Sequence, residues 1–179
     1  MPMFTHPFRL FTLGHSTRDQ EELISSLKAQ QISLLVDVRT IPRSRMNPQF
    51  NSEPFAAALH AAAVGYLHEP SLGGLRRPRL NSPNTAWRHS GFRGYADHMQ
   101  TTEFREALAH WVSATHNGSR IAFMCAEGSP FRCHRRLLAD ALLALGEPVA
   151  EIPRRGRPRP WNLTPFARVT GGEVHYPAD

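Results

Sequence analysis

The stretch Ser33-Leu34-Leu35-Val36-Asp37-Val38 decides the fold. It is short and almost continuously apolar, the reading of a strand buried on both faces, and such strands belong to parallel sheets covered by helices. Upstream, Arg9-Leu10-Phe11-Thr12-Leu13 reads as a first strand closed by Gly14. Thr17 then looks like a helix cap, with Gln20 three residues on and Leu23, Ile24 and Leu27 at helical spacing. Downstream, Ser52 opens a helix carrying Phe55, Ala56, Leu59 and Ala63, with Pro54 tolerated in its first turn. Gly65-Tyr66-Leu67-His68 is a short third strand. Gly94 to Met99 and Thr102 to Thr115 read as helical, the latter with an apolar stripe of Phe104, Leu108 and Trp111. Arg120 to Cys125 is a fourth strand, Arg132 to Leu145 a helix stopped by Gly146, and Val149 to Ile152 a fifth strand.

Strands alternating with helices predict an α/β fold: three layers, a mostly parallel open sheet of about five strands, and helices on both faces. No internal repeat of solenoid period interrupts the order. Residues 69–91 form a connection long enough to suggest a task. Residues 1–152 read as one α/β domain, and 153–179 as a basic Pro/Arg-rich extension packed on it or trailing from it.

At 179 residues the chain suffices for one domain of ordinary size. No window approaches the run of apolar residues that a membrane helix needs, and Met1 to Pro7 lacks the pattern of a secretory signal. Two cysteines make no disulfide framework, so the expected setting is the reducing cytoplasm. The net charge is +6, and of the 21 basic residues only Lys28 is lysine. An anionic partner, either a small molecule or nucleic acid, is one reading of that charge. Arginine-favouring codon usage is the other. The oligomeric state is not legible.

Chemistry gathers where the proposed strands end. Gly14-His15-Ser16 follows the first, Asp37-Val38-Arg39 closes the second, His68-Glu69 follows the third, and Cys125-Ala126-Glu127-Gly128-Ser129 follows the fourth. In a parallel sheet these ends share one edge, where open α/β proteins bind ligands. Cys125, between a strand and a helix N-terminus, sits where a thiol pKa falls and an anion is held. A loop cysteine with a nearby guanidinium resembles protein tyrosine phosphatases and rhodanese-type sulfurtransferases. The phosphatase spacing, however, would put the arginine at 131, where Phe131 stands; Arg132 misses it by one. Cys125, Cys133 and His134 lack the spacing of a zinc module, and no metal or other cofactor is expected. Asp37 and Arg39 read as general base and anion clamp, or as an ion pair sealing the edge. His15 reads as a proton acceptor, or as a helix cap with Ser16. His68 reads as a loop histidine, and Arg43, Arg45 and Asn47 as a basic loop suited to phosphate.

The series Thr12-Leu13-Gly14-His15-Ser16, Asp37-Val38-Arg39 with Pro42 and Ser44, Asn47-Pro48-Gln49-Phe50, Leu72-Gly73-Gly74, Phe92-Arg93-Gly94-Tyr95-Ala96 with Met99, and Met124-Cys125-Ala126-Glu127 with Arg132-Cys133-His134-Arg135-Arg136 resembles the bacterial and archaeal family called domain of unknown function 488. The resemblance runs from about residue 9 to residue 152, and Leu163-Thr164-Pro165-Phe166 and Tyr176-Pro177 look like the family's C-terminal part. It implies a compact α/β domain and assigns no reaction.

The leading expectation is an anion-binding, thiol-dependent catalytic pocket at the carboxyl edge of the sheet. Cys125 would be the nucleophile or redox thiol, with His15, Asp37 or Glu127 moving the proton. Ser16, Arg39, Ser44, Arg93, Tyr95, Arg132, Cys133, His134 and Arg135 complete the candidate set, with Arg39 and Arg132 as the main oxyanion clamps. The rival reading is a nucleic-acid-binding accessory module without catalysis, built on the 39–50 loop, Arg76 to Arg79 and the 154–159 tail. A third is a sensing domain that binds without transforming.

Overall fold

A computed structural model describes residues 8–178; the Met1 to Pro7 reading lies outside them. Five parallel strands form the body of the sheet: β1 (Leu10–Gly14), β2 (Leu34–Asp37), β3 (Gly65–His68), β4 (Ile121–Cys125) and β5 (Val149–Glu151). A sixth, β6 (Arg159–Pro160), pairs antiparallel with β5, giving the order β3-β2-β4-β1-β5-β6. The two-residue β6 places a proline on the sheet edge, where a missing N–H costs little.

Side-chain alternation sorts the helices. Leu10, Val36, Ile121, Phe123 and Val149 point to the face covered by α3 (Ser90–Met99), α4 (Thr102–Thr115) and α5 (Arg135–Ala144). Phe11, Leu13, Leu35, Ala122, Met124 and Ala150 point to the other face, covered by α1 (Gln20–Ala29) and α2 (Ser52–Ala61). The sheet is thus an α/β sandwich filling of mostly parallel strands, as the sequence predicts. Among the described residues no helix is long and apolar enough to cross a membrane.

Three boundaries differ from expectation. Helix α1 starts at Gln20 with Asp19 as N-cap, because Ser16, at φ 48°, turns the chain sharply after β1. Helix α3 starts at Ser90, not Gly94. Helix α5 starts at Arg135, after a 3-10 turn at Pro130–Arg132 and an extended Cys133 (φ −126°, ψ 147°). Cys133 and His134 therefore precede the helix instead of lying on it. Proline at 130 favours the tight turn over a longer helix with that start.

The segment after Ile152 crosses the rim as β6 and then forms a hairpin of β7 (Arg168–Thr170) and β8 (Glu173–His175). Tyr176 is fully buried, and its hydroxyl donates to Asp140 Oδ2 of α5 at 2.7 Å. Thr164 N donates to Asp140 Oδ1 at 2.9 Å. Burial lifts the Asp140 carboxyl above the usual carboxylate range, against these hydrogen bonds.

Candidate functional site at the carboxyl rim

The strand register brings the expected ends together. Gly14 pairs with Cys125 and Asp37 with Met124, while His15 N donates to Cys125 O at 2.9 Å. The faces then divide them. Thr12, Cys125 and Glu151, on the adjacent strands β1, β4 and β5, all point toward α5. Asp37 points the opposite way, toward α1 and α2. The same two-residue period that makes a strand amphipathic separates the thiol from the carboxylate.

On the α5 side, Arg135 lies fully buried across those three strands. Its Nη1 donates to Cys125 Sγ at 2.7 Å and to Glu127 O at 2.6 Å. Nη2 donates to Gly128 O and to Glu151 Oε1, both at 3.1 Å, and Nε to Glu151 Oε2 at 3.2 Å. All five guanidinium donors are engaged. Expected as a substrate clamp, Arg135 instead ties the loop after β4 to the sheet, with all its donors used within the protein. Burial works against its charge, but Cys125, Glu151 and Cys133 outweigh it and raise its pKa. Glu151 also accepts from the Thr12 hydroxyl, which in turn accepts from Trp161 Nε1 at 2.8 Å. Burial lifts the Glu151 carboxyl above the ordinary range despite Arg135.

Cys133 faces Cys125 from the turn before α5. The two are unbridged and buried, and Cys125 Sγ donates to Glu127 O at 3.9 Å. Cys133 Sγ receives Arg135 N at 3.5 Å and stands 3.7 Å from His134 Nδ1. Burial opposes a thiolate at Cys133, yet the neighbouring Cys125 and His134, with the charge of Arg135, drive its pKa well below the ordinary value. Burial and the neighbouring Cys133 push the Cys125 thiol well above it. The helix N-terminus that was expected to activate Cys125 acts on Cys133, since α5 begins two residues after it.

Both cysteines line a cavity of about 360 Å³ together with Arg39, Arg132, His134 and Glu127. The Nε2 of His134 is buried and has no partner among the described residues. Arg132 is exposed at the rim.

The opposite-face cluster is closed. Asp37 is fully buried, and Arg39 grips it with Nε to Oδ1 at 2.8 Å and Nη2 to Oδ2 at 2.5 Å. Tyr66 Oη donates to Oδ2 at 2.7 Å, and the phenol pKa rises through burial and that bond to Asp37. Burial opposes the Arg39 charge, but Asp37 overrides it and raises the Arg39 pKa. Arg39 Nη2 also donates to Phe50 O at 2.7 Å. His15 stacks on Phe50 at 4.5 Å, donates from Nδ1 to Ser16 O at 2.9 Å, and so offers Nε2 as acceptor to Arg39 Nη1 at 3.3 Å. Burial, ahead of every other cause, lowers the His15 pKa. Asp37 and His15 line neither the thiol cavity nor the one of about 560 Å³ that contains Ser16. They hold Arg39, which lines the thiol cavity and whose second Nη1 hydrogen has no partner among the described residues.

The other expected residues scatter. Ser44 Oγ accepts from Asn47 N at 2.9 Å and shapes its own loop. Arg93 Nε donates to Trp87 O at 3.0 Å. Tyr95 is a core residue whose hydroxyl donates to Leu72 O and whose ring packs 4.9 Å from that of His134. Ser16 lines a second cavity, described below. Sequence reasoning missed Thr12, Glu151, Tyr66 and Trp161. The available signal was Glu151, a lone carboxylate inside the apolar run Val149-Ala150-Glu151-Ile152. No three His, Cys, Asp or Glu side chains among the described residues cluster as a metal-binding set.

A mostly parallel α/β sheet with two thiols and an arginine frame at its carboxyl edge defines the class. The chain belongs to the family described as domain of unknown function DUF488, whose model matches residues 19–142. No curated protein and no solved structure matches it.

Proposed function

We propose that the protein is a thiol-dependent enzyme acting on a substrate that carries an oxyanion, with the chemistry in the 360 Å³ cavity at the carboxyl edge. The observation that carries this reading is the unbridged Cys125–Cys133 pair, with Arg135 donating to both sulfurs and His134 Nδ1 standing 3.7 Å from Cys133 Sγ. Buried structural cysteines are ordinarily neutral and inert.

Cys133, as thiolate, is the nucleophile. Its sulfur forms a bond to the electrophilic atom of the substrate, and the bond to the leaving group breaks with its electron pair. The leaving group takes the proton held by the Cys125 thiol. Arg39, through its open Nη1 hydrogen, and Arg132 hold the oxyanion. Glu127 and the unpartnered His134 Nε2 are the groups placed to activate the water that would release the product.

The nucleic-acid reading has less behind it. Arg76 donates to Gly73 O and Pro70 O, Arg79 to Gln100 and Asp97, and Arg154 to Glu22, so three of its guanidinium groups serve the chain itself.

Protection against alkylation tests the proposal. Phosphate or sulfate should slow iodoacetamide modification of Cys133 saturably, and Arg132→Ala should weaken that protection about tenfold. Modification that is equally fast with and without tens of millimolar of either anion would contradict it.

A further inference from the structure

A second cavity, of about 560 Å³, lies beside the thiol site across the 126–131 loop. Its walls include Ser16, Arg18, Phe131, Arg159 and Trp161. Arg18 is only 3% exposed, and its Nη2 donates to Ile152 O at 3.1 Å. Its Nη1 is buried and has no partner among the described residues. An orphaned guanidinium donor in the interior is costly and calls for an explanation. The carboxylates that act on Arg18 are Glu22 and Glu151. Both are engaged elsewhere: Glu22 with Arg154 at 3.3 Å, Glu151 with Arg135 at 3.1 Å and with Thr12. Arg18 thus has one guanidinium nitrogen without a partner among the described residues, at a wall that Arg154, Arg159 and Glu151 also line.

The remaining walls specify more than an anion. Phe131 is 65% exposed, an unusual state for a phenyl ring, and meets the Trp161 indole edge-on at 6.0 Å. The bond from Trp161 Nε1 to Thr12 fixes the indole, so its face is pre-set. Arg159, exposed on β6, makes no side-chain hydrogen bond among the described residues. A fixed indole and an exposed phenyl ring beside two guanidinium groups with unused donors suit a ligand with a planar ring at one end and a phosphate at the other. The volume lies within the range of small-ligand sites.

We propose that this cavity binds a free mononucleotide, its phosphate on Arg18 and Arg159 and its base against Trp161 and Phe131. The site is distinct from the thiol cavity, and its occupancy does not depend on the chemistry proposed there.

Calorimetry and tryptophan fluorescence on the whole protein test this with AMP, GMP, CMP and UMP, with adenosine and inorganic phosphate as part-ligands. At least one nucleotide should bind saturably and quench fluorescence, and Trp161→Phe should remove the quench although Trp87 and Trp111 remain. Each part-ligand should bind at least about tenfold more weakly than the nucleotide. Arg18→Gln should weaken binding by about tenfold or more. Arg159→Gln and Phe131→Ala, both at exposed positions, should each weaken it about threefold to tenfold without touching the core. Binding of no mononucleotide at millimolar concentration would overturn the proposal. So would adenosine binding as tightly as AMP, binding only of a single-stranded oligonucleotide, or binding left intact by both Arg159→Gln and Phe131→Ala.

Discussion

The guanidinium of Arg135 holds the Cys125 sulfur at 2.7 Å while its other edge grips the Glu151 carboxylate at 3.1 Å. One buried side chain thus joins β4, β5 and the loop that follows β4, passing over Gly14 of β1 between them. Removing it leaves Glu151 buried without its main partner and frees two loop carbonyls. Arg135→Met should cost about 3–5 kcal/mol in urea unfolding. Arg135→Lys should recover little, since an ammonium cannot fork between sulfur, carbonyls and carboxylate. A loss below about 1 kcal/mol for Arg135→Met would contradict this role.

Gly14 makes room for that arrangement. A Cβ there would stand 1.9 Å from Glu127 O and 2.9 Å from Arg135 Nη1. The nearer atom is backbone, so the 126–129 loop must shift. Gly14→Ala should destabilise by about 3 kcal/mol and slow thiol alkylation together, both readable on one purified variant. A stable Gly14→Ala protein with unchanged alkylation would show that the loop is not held as described.

Thr12 links Trp161 to Glu151, accepting from one and donating to the other. Thr12→Val keeps the shape, leaves Trp161 Nε1 without its acceptor and takes one of the donors from Glu151. The expected cost is about 1–3 kcal/mol by denaturant titration. Trp161→Phe should cost less, because it removes a donor without burying an unpaired one. Equal costs for the two variants would refute the link.

His15 supplies a pH dependence. Burial lowers its folded pKa, whereas the unfolded residue titrates near 6.5. Below that value the unfolded chain takes up a proton that the folded chain refuses. The stability contribution is therefore present above the unfolded pKa and is lost as pH falls through about 6.5 toward the folded value. The wild type should lose stability more steeply than His15→Gln between about pH 7 and pH 5.5. Parallel pH curves for the two proteins would contradict a buried neutral His15.

The alternating order of apolar runs and amphipathic helices carried the parallel sheet into view, and with it the shared rim of Gly14, Asp37 and Cys125. What stayed hidden was the face. Alternation along Leu34-Leu35-Val36-Asp37 places Asp37 opposite Val36, and the same rule along β4 places Cys125 with Ile121 and Phe123. Continuous apolar character on both faces conceals that distinction, because neither face is marked by polarity. The start of α5 was also hidden. Pro130 announces a turn, but only the fold shows that the helix waits until Arg135 and leaves Cys133 extended at its mouth. The path of the tail was hidden too, although Leu163-Thr164-Pro165-Phe166 and Tyr176-Pro177 carry the family resemblance. Its prolines and arginines suggest an open strap, while Trp161, Thr164 and Tyr176, spaced along it, are what fasten it to the core.

The pH dependence of cysteine alkylation, mapped to each residue by peptide mass, tests the thiolate at Cys133 most directly. The account expects rapid modification of Cys133 with an apparent pKa clearly below the ordinary thiol value of about 8.5, and slow modification of Cys125. In Cys125→Ser the Cys133 reaction should persist. An apparent pKa at or above about 8.5 for Cys133, or faster modification of Cys125, would contradict it.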